Sequence, residues 1–197
     1  MAVAALIHSE EEAEGLIRWS LLFALAEKDE RVVVLHHPSI SEERIRSIFA
    51  EWEMTHPGVP EVVITSLEGP EPDERSILDL IGKASVSLLV LGQNRRGPVT
   101  EETLQLNRKI FDRAVCDAVM IRLGRRKLEE CDSVLVPSAG GPHSLIALRL
   151  GSKVASRFDG KITPLFVEPE IGEEDGKAVG LRVLNRVLKE AGVDVSD

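Results

Sequence analysis

The chain has 197 residues, 43% of them hydrophobic and 29% charged, with 24 Lys and Arg against 33 Asp and Glu for a formal charge of −9. That is the composition of a soluble globular protein, long enough for one large domain or two small ones with a core. The acidic balance speaks against nucleic-acid binding, which draws its affinity from clustered Lys and Arg, and two Trp, five Phe and no Tyr leave little on which to stack bases.

Short apolar runs alternate with amphipathic stretches from the start. Residues 2–8 (AVAALIH) read as a buried strand. Ser9, with Glu12 three residues later, makes a capping-box pattern that opens a helix carrying Leu16, Trp19, Leu22 and Phe23 at helical spacing. A second strand covers 31–36 (RVVVLH). Ser41 then caps a helix with Ile45, Ile48, Phe49 and Trp52 on one side, ended by the HPGVP segment at 56–60. Residues 61–66 (EVVITS) form a third strand, and Asp73 starts a helix with Ile77, Leu78 and Ile81 on one face. The run at 86–91 (VSLLVL) is continuous, as suits a parallel strand covered on both faces. A glycine-containing loop at 92–98 (GQNRRGP), a helix from Thr100 to Ala114 and a strand at 118–123 (AVMIRL) come next. Five strands alternating with four helices predict an α/β fold, an open, doubly wound, parallel five-stranded sheet over 1–123.

After a charged linker at 124–131 (GRRKLEEC) the same order begins again over 132–197. A strand at 133–137 (SVLVP) leads to a helix at 142–158, a strand at 161–167 (KITPLFV) and a helix at 177–191 with Val179, Val183, Leu184 and Val187 on its apolar side. Residues 35–43 (LHHPSISEE) match 166–174 (FVEPEIGEE) at an offset of 131, and Ile7 matches Val136 at 129. The chain reads as an internal duplication with a partial second copy. Two strands and two helices hardly close a core alone. The half-copy is therefore expected to pack on the first copy, on another chain, or on the rest of a longer parent protein. Pro164, which lacks an amide donor, suits an edge strand.

Cys116 and Cys131 make neither a disulfide framework nor a zinc spacing, and a reducing cytosol is the simplest setting. The opening MAVAALIHSEEEAEG has no basic flank before its short apolar run, so it does not read as a signal peptide, and no stretch approaches the roughly 20 apolar residues of a membrane span. His8, His36 and His37 have no carboxylate or cysteine at ligand spacing and read as surface or partly buried histidines. No nucleophile elbow, phosphate-loop lysine or marked carboxylate pair occurs, and the expectation is a protein that is not an enzyme.

The segment VLVPSAGGPHSLIALRLGSKVASRFDGKITPLFVEP at 134–169 resembles the first strand, turn, helix and second strand of the universal stress protein family. In the first copy, LLVLG at 88–92, the GQNRRG loop and AVCDAVMI at 114–121 resemble that family's later half. The resemblance implies a Rossmann-like sheet of the adenine nucleotide alpha hydrolase type. It also implies the family's nucleotide loop, Gly-x-x-Gly, nine residues, then Gly-Ser or Gly-Thr. Gly92 supplies the first glycine, whereas the second falls on Arg95, and counting back from the final strand places the last pair on Leu104 and Gln105. The family's aspartate at the end of the first strand falls near Ser9, and in the second copy on Ala139.

Two sets of residues are candidates for holding ATP, AMP or a cyclic nucleotide. Gly92, Arg95, Arg96 and Gly97 read either as an anion loop in which arginines replace glycine amides or as an ordinary solvated turn. Gly140, Gly141, His143 and Ser144 open a helix whose amides favour an anion, or form a plain cap with Pro142 in the first turn. The GGPH turn at 140–143 looks like the stress-protein-like domains at the cytosolic ends of some membrane transporters and antiporters. What the resemblance implies first is a non-catalytic regulatory or sensing module, cytoplasmic or at the cytosolic face of a membrane as part of a transporter. In the family the final strand commonly pairs two domains, so a homodimer through residues 118–123 is expected. The alternative is a nucleotide-binding stress-response protein.

Overall fold

The unbroken apolar runs of the sequence lie at the centre of a sheet. In the computed structural model of the chain the described residues are 2–27, 31–56, 58–69, 72–93, 100–124, 128–138, 142–166 and 175–193. They divide into two units, Met1–Arg125 and Arg126–Asp197.

In the first unit β1 (Ala2–Ile7), β2 (Arg31–His36), β3 (Glu61–Ser66), β4 (Val86–Gly92) and β5 (Asp117–Ile121) form one parallel sheet in the order β3-β2-β1-β4-β5. The strands are joined in turn by α1 (Glu10–Glu27), α2 (Glu42–Thr55), α3 (Glu74–Lys83) and α4 (Glu101–Arg113). Ser41 accepts from the Arg44 amide, Asp73 from those of Arg75 and Ser76, and Thr100 from that of Thr103, so three helices start on side-chain caps. Side chains alternate along the strands. Leu6, Leu35, Leu89 and Leu91 enter a core with Ile77 and Ile81 of α3 and Ile110 of α4. The opposite face lies under α1, which packs on β1, β2 and β4, with α2 beside it. Both faces are thus covered, the condition that lets β1 and the end of β4 be wholly apolar.

Three expectations shift. The strand placed at 118–123 ends at Ile121, because β4, its one strand neighbour among the described residues, ends where Gly92 pairs with Ile121, and the Gln93 amide bonding to the Ile121 carbonyl is the last rung. Leu123 turns away to lie over α1, its Cδ1 2.5 Å from where a Cβ on Gly15 would stand. The capping box at α1 forms by half, since the Glu12 carboxyl takes the Ser9 amide, and the His8 amide with it, while the Ser9 hydroxyl is buried without a hydrogen-bond partner among the described residues. Third, the offset of 131 fails on the strands themselves, as the second unit shows.

That unit pairs β6 (Ser133–Ser138) with β7 (Lys161–Phe166) in parallel and adds a short 3-10 turn at Leu128–Glu130, α5 (Pro142–Arg157) and α6 (Asp175–Ala191). Val136, Leu148 and Val187 form its small core, with Val134 and Ile162 packed against it. Gly151 lets α5 approach β6, as an added Cβ would stand 2.7 Å from Val136. Phe166, four residues on from Ile162, shares the helix-covered face with it, whereas Leu35, its partner at offset 131, points toward α3 and α4. An odd slip in register exchanges the two faces of a strand, so this pairing does not superpose them. Ile7 and Val136, at 129, do share the face under the first crossover helix. Pro164 sits opposite Val136 in β7, a strand that pairs only with β6 among the described residues.

Candidate functional site

In an open parallel sheet, ligands bind outside the carboxyl ends of the strands where the strand order reverses. Here that switch point lies between β1 and β4, because β1 leads outward to β2 and β3 while β4 leads the other way to β5. His8 and Ser9 follow β1, Gly92 ends β4, and α4 passes above them with Asn107 facing in at 1% exposure.

These residues bond to one another. Asn107 Nδ2 donates to the Gly92 carbonyl at 2.9 Å, and His8 Nε2 lies 2.8 Å from Asn107 Oδ1. A carbonyl only accepts, which fixes the amide orientation of Asn107 and leaves His8 as the donor, with its proton on Nε2. The His8 backbone amide donates to Glu12 Oε1 at 2.6 Å. Glu12 is 1% exposed and presses on the end of β4, its Oε2 2.5 Å from where a Cβ on residue 92 would stand. Glycine at 92 is the residue that leaves this space. On the neighbouring strand His36, opposite Ile7 and 4% exposed, donates from Nδ1 to the His37 carbonyl at 3.0 Å. Its Nε2 is then a buried acceptor with no partner among the described residues, like the Ser9 hydroxyl.

Burial pushes the Glu12 carboxyl above the ordinary carboxylate value, with the His8 and Ser9 amides pulling it back and Glu11 adding a smaller upward push. Burial likewise holds the His8 imidazole below its ordinary value, opposed by the bond to Asn107 and assisted by the charge of His37. Cys116 is half-buried against the core under α3 and α4, and burial raises its thiol, the setting of an unreactive cysteine. Topology does bring His8, His36 and His37 to one end of the sheet, but no group of three or more His, Cys, Asp or Glu fit to hold a metal occurs among the described residues.

Of the sequence-predicted site residues, Gly92 lies in this crevice. Arg95, Arg96 and Gly97, and in the second unit Gly140 and Gly141, lie outside the described residues. His143 is exposed in the first turn of α5, and Ser144 beside it is 7% exposed. Leu104 and Gln105 line a shallow depression on the α4 side with Gln93, Glu101, Arg108 and Met120. Sequence reasoning missed Asn107 and read Glu12 only as the capping-box partner of Ser9. The available signal was position: Asn107 stands three residues before Ile110 and Glu12 four before Leu16, polar side chains on inward-facing stripes.

No protein-family model and no curated protein matches the chain. Among solved structures it is similar to a universal stress protein from Archaeoglobus fulgidus, with 18% identity and a TM-score of 0.43 over 61% of this chain and 96% of that one. The same archaeal protein in complex with dAMP gives 18% identity and 0.42 over 61% and 95%. A universal stress protein in complex with cAMP gives 11% and 0.43 over 61% and 97%. These likenesses stand at low identity, and the α/β parallel sheet of the chain rests on its own strand order, β3-β2-β1-β4-β5.

Proposed function

We propose that the chain is a non-catalytic regulatory module that works by contacts with a second copy or a partner. The observation that carries this reading is the closed network at the switch point. His8, Glu12, Asn107 and Gly92 occupy with their own hydrogen bonds the crevice in which folds of this kind hold ligands. A buried carboxylate against Gly92 repels the phosphates that a nucleotide would place there. The edge strand β5 supports a homodimer, since its outer side has no strand partner among the described residues and an unpaired edge is a template for another strand. On this reading the setting is cytoplasmic, free or at the cytosolic face of a transporter. Among the described residues no helix is long and apolar enough to cross a membrane.

The test is calorimetric titration of the folded chain with ATP and AMP at low-millimolar magnesium, joined to sedimentation analysis over a range of concentrations. The reading expects no saturable heat and a concentration-dependent dimer. One-site nucleotide binding, or a monomer at every concentration, contradicts it. Nucleotide binding is the second reading, and what favours it is the pair of buried, unpartnered polar atoms at the same end of the sheet, Ser9 Oγ and His36 Nε2.

A further inference from the structure

We propose that Glu12 is an internal anion that holds the β1–α1 turn closed against phosphate-type ligands, an autoinhibitory contact built into α1. This rests on the closed-crevice reading above and names what closes it. A helix start presents free amides and the positive end of its dipole, and both favour an anion. Glu10 and Glu11, in the same turn, answer the dipole from exposed positions without losing water. Glu12 alone is drawn inside, at 1% exposure, onto the His8 amide and against the bare backbone of Gly92. Desolvating a carboxylate costs stability unless bonds replace its water, and here the His8 and Ser9 amides supply them.

Beside it, the Ser9 hydroxyl, 8% exposed, does not complete the capping box and is left without a partner among the described residues. An amide with a buried hydroxyl next to it is the donor set that receives a small oxyanion. The carboxylate of Glu12 holds the first of these donors. Withdrawing it frees the His8 amide next to the Ser9 hydroxyl and vacates the space beside Gly92, open to inorganic phosphate or to the phosphate of a mononucleotide.

The experiment titrates wild type, Glu12→Ala and Glu12→Gln with inorganic phosphate and, separately, with AMP, reading heat and the His8 amide resonance. Glu10→Ala serves as a control for simple loss of negative charge, and far-ultraviolet circular dichroism confirms folding. Glu12→Ala is expected to bind phosphate at least about tenfold more tightly than wild type, a change of about 1.4 kcal/mol. Glu12→Gln, which fills the same space without the charge, is expected to fall between them. It also keeps the test alive if the alanine variant unfolds. Binding of AMP at the phosphate affinity identifies the phosphate as the group recognised, and tighter AMP binding adds a contact from the nucleoside; both support the proposal. No binding by any of the folded variants overturns this inference alone. Binding by wild type as tight as by Glu12→Ala overturns the closed-crevice reading with it, and an equal gain in Glu10→Ala overturns the specific role of Glu12.

Discussion

In the first unit β1 and β2 send Leu6 and Leu35 into a core under α3 and α4, whereas in the second unit β6 and β7 leave Leu135 and Leu165 at 61% and 45% exposure. The local order is the same in both, strand, helix, strand, helix, and in both the crossover helix covers one face of the strand pair. The difference lies in the later elements. Covering the second face of a parallel sheet takes helices from further along the winding, and in the first unit these are α3 and α4, which arrive with β4 and β5. A βαβα unit is therefore a local solution to one face only, and the core it builds from Val136, Leu148 and Val187 is correspondingly small.

Truncation sharpens this contrast most strongly. Leu89→Ala, in the wholly buried middle of β4, is expected to cost about 2–5 kcal/mol through lost burial and the cavity it leaves, measured by chemical denaturation. A loss under about 1 kcal/mol would mean that the first core is not packed as described. Next in size is Asn107→Ala, which strips the partner from the buried Gly92 carbonyl and from the His8 ring together, with an expected cost of about 1–3 kcal/mol. A neutral result would show that water replaces the amide and that the network does not close the crevice.

The pH dependence of stability comes third. His8 is held below its unfolded value of 6.5, so the unfolded chain binds its proton first as the pH falls. Its contribution is fully present above 6.5 and is lost downward from there to the lower folded value. Glu12 acts in the opposite sense: its folded value is raised above 4.5, so stability declines as the pH rises from 4.5 through the folded value. Replacing His8 with Gln is expected to remove the loss of stability just below pH 6.5, and a denaturation series against pH reads the difference. The smallest effect is expected in the second unit, where Leu135→Ala on the uncovered face should change stability by no more than about 0.5 kcal/mol. A cost comparable to that of Leu89→Ala would show that Leu135 is buried in solution.

Much of the fold was legible because its signals are local. Continuous apolar runs marked β1, β2 and β4, and Ser41, Asp73 and Thr100 marked the helix starts to within a residue. What failed was register. Matching residues 35–43 to 166–174 compared letters without regard to facing, and an odd displacement set Leu35 of one face against Phe166 of the other. The crevice was less legible still. Gly92 stood out as a glycine at a strand end, but its neighbours Glu12 and Asn107 come from helices 80 residues earlier and 15 later, and only the reversal of strand order brings them together. The histidines behave alike, since Ile7 and His36 are paired by the β1–β2 register and by nothing visible in their spacing.

Closure of the crevice turns on the Glu12 carboxylate being buried on the His8 amide beside Gly92. The most direct measurement is a carbon-detected NMR titration of the Glu12 side-chain carboxyl in the wild-type protein, with the His8 amide followed in parallel. A closed crevice predicts that Glu12 titrates above its ordinary value of 4.5, that the His8 amide moves with the same midpoint, and that Glu10 and Glu11 do not report on that amide. An ordinary Glu12 midpoint with a silent His8 amide would place the carboxylate in solvent, leave the crevice open and contradict the central claim.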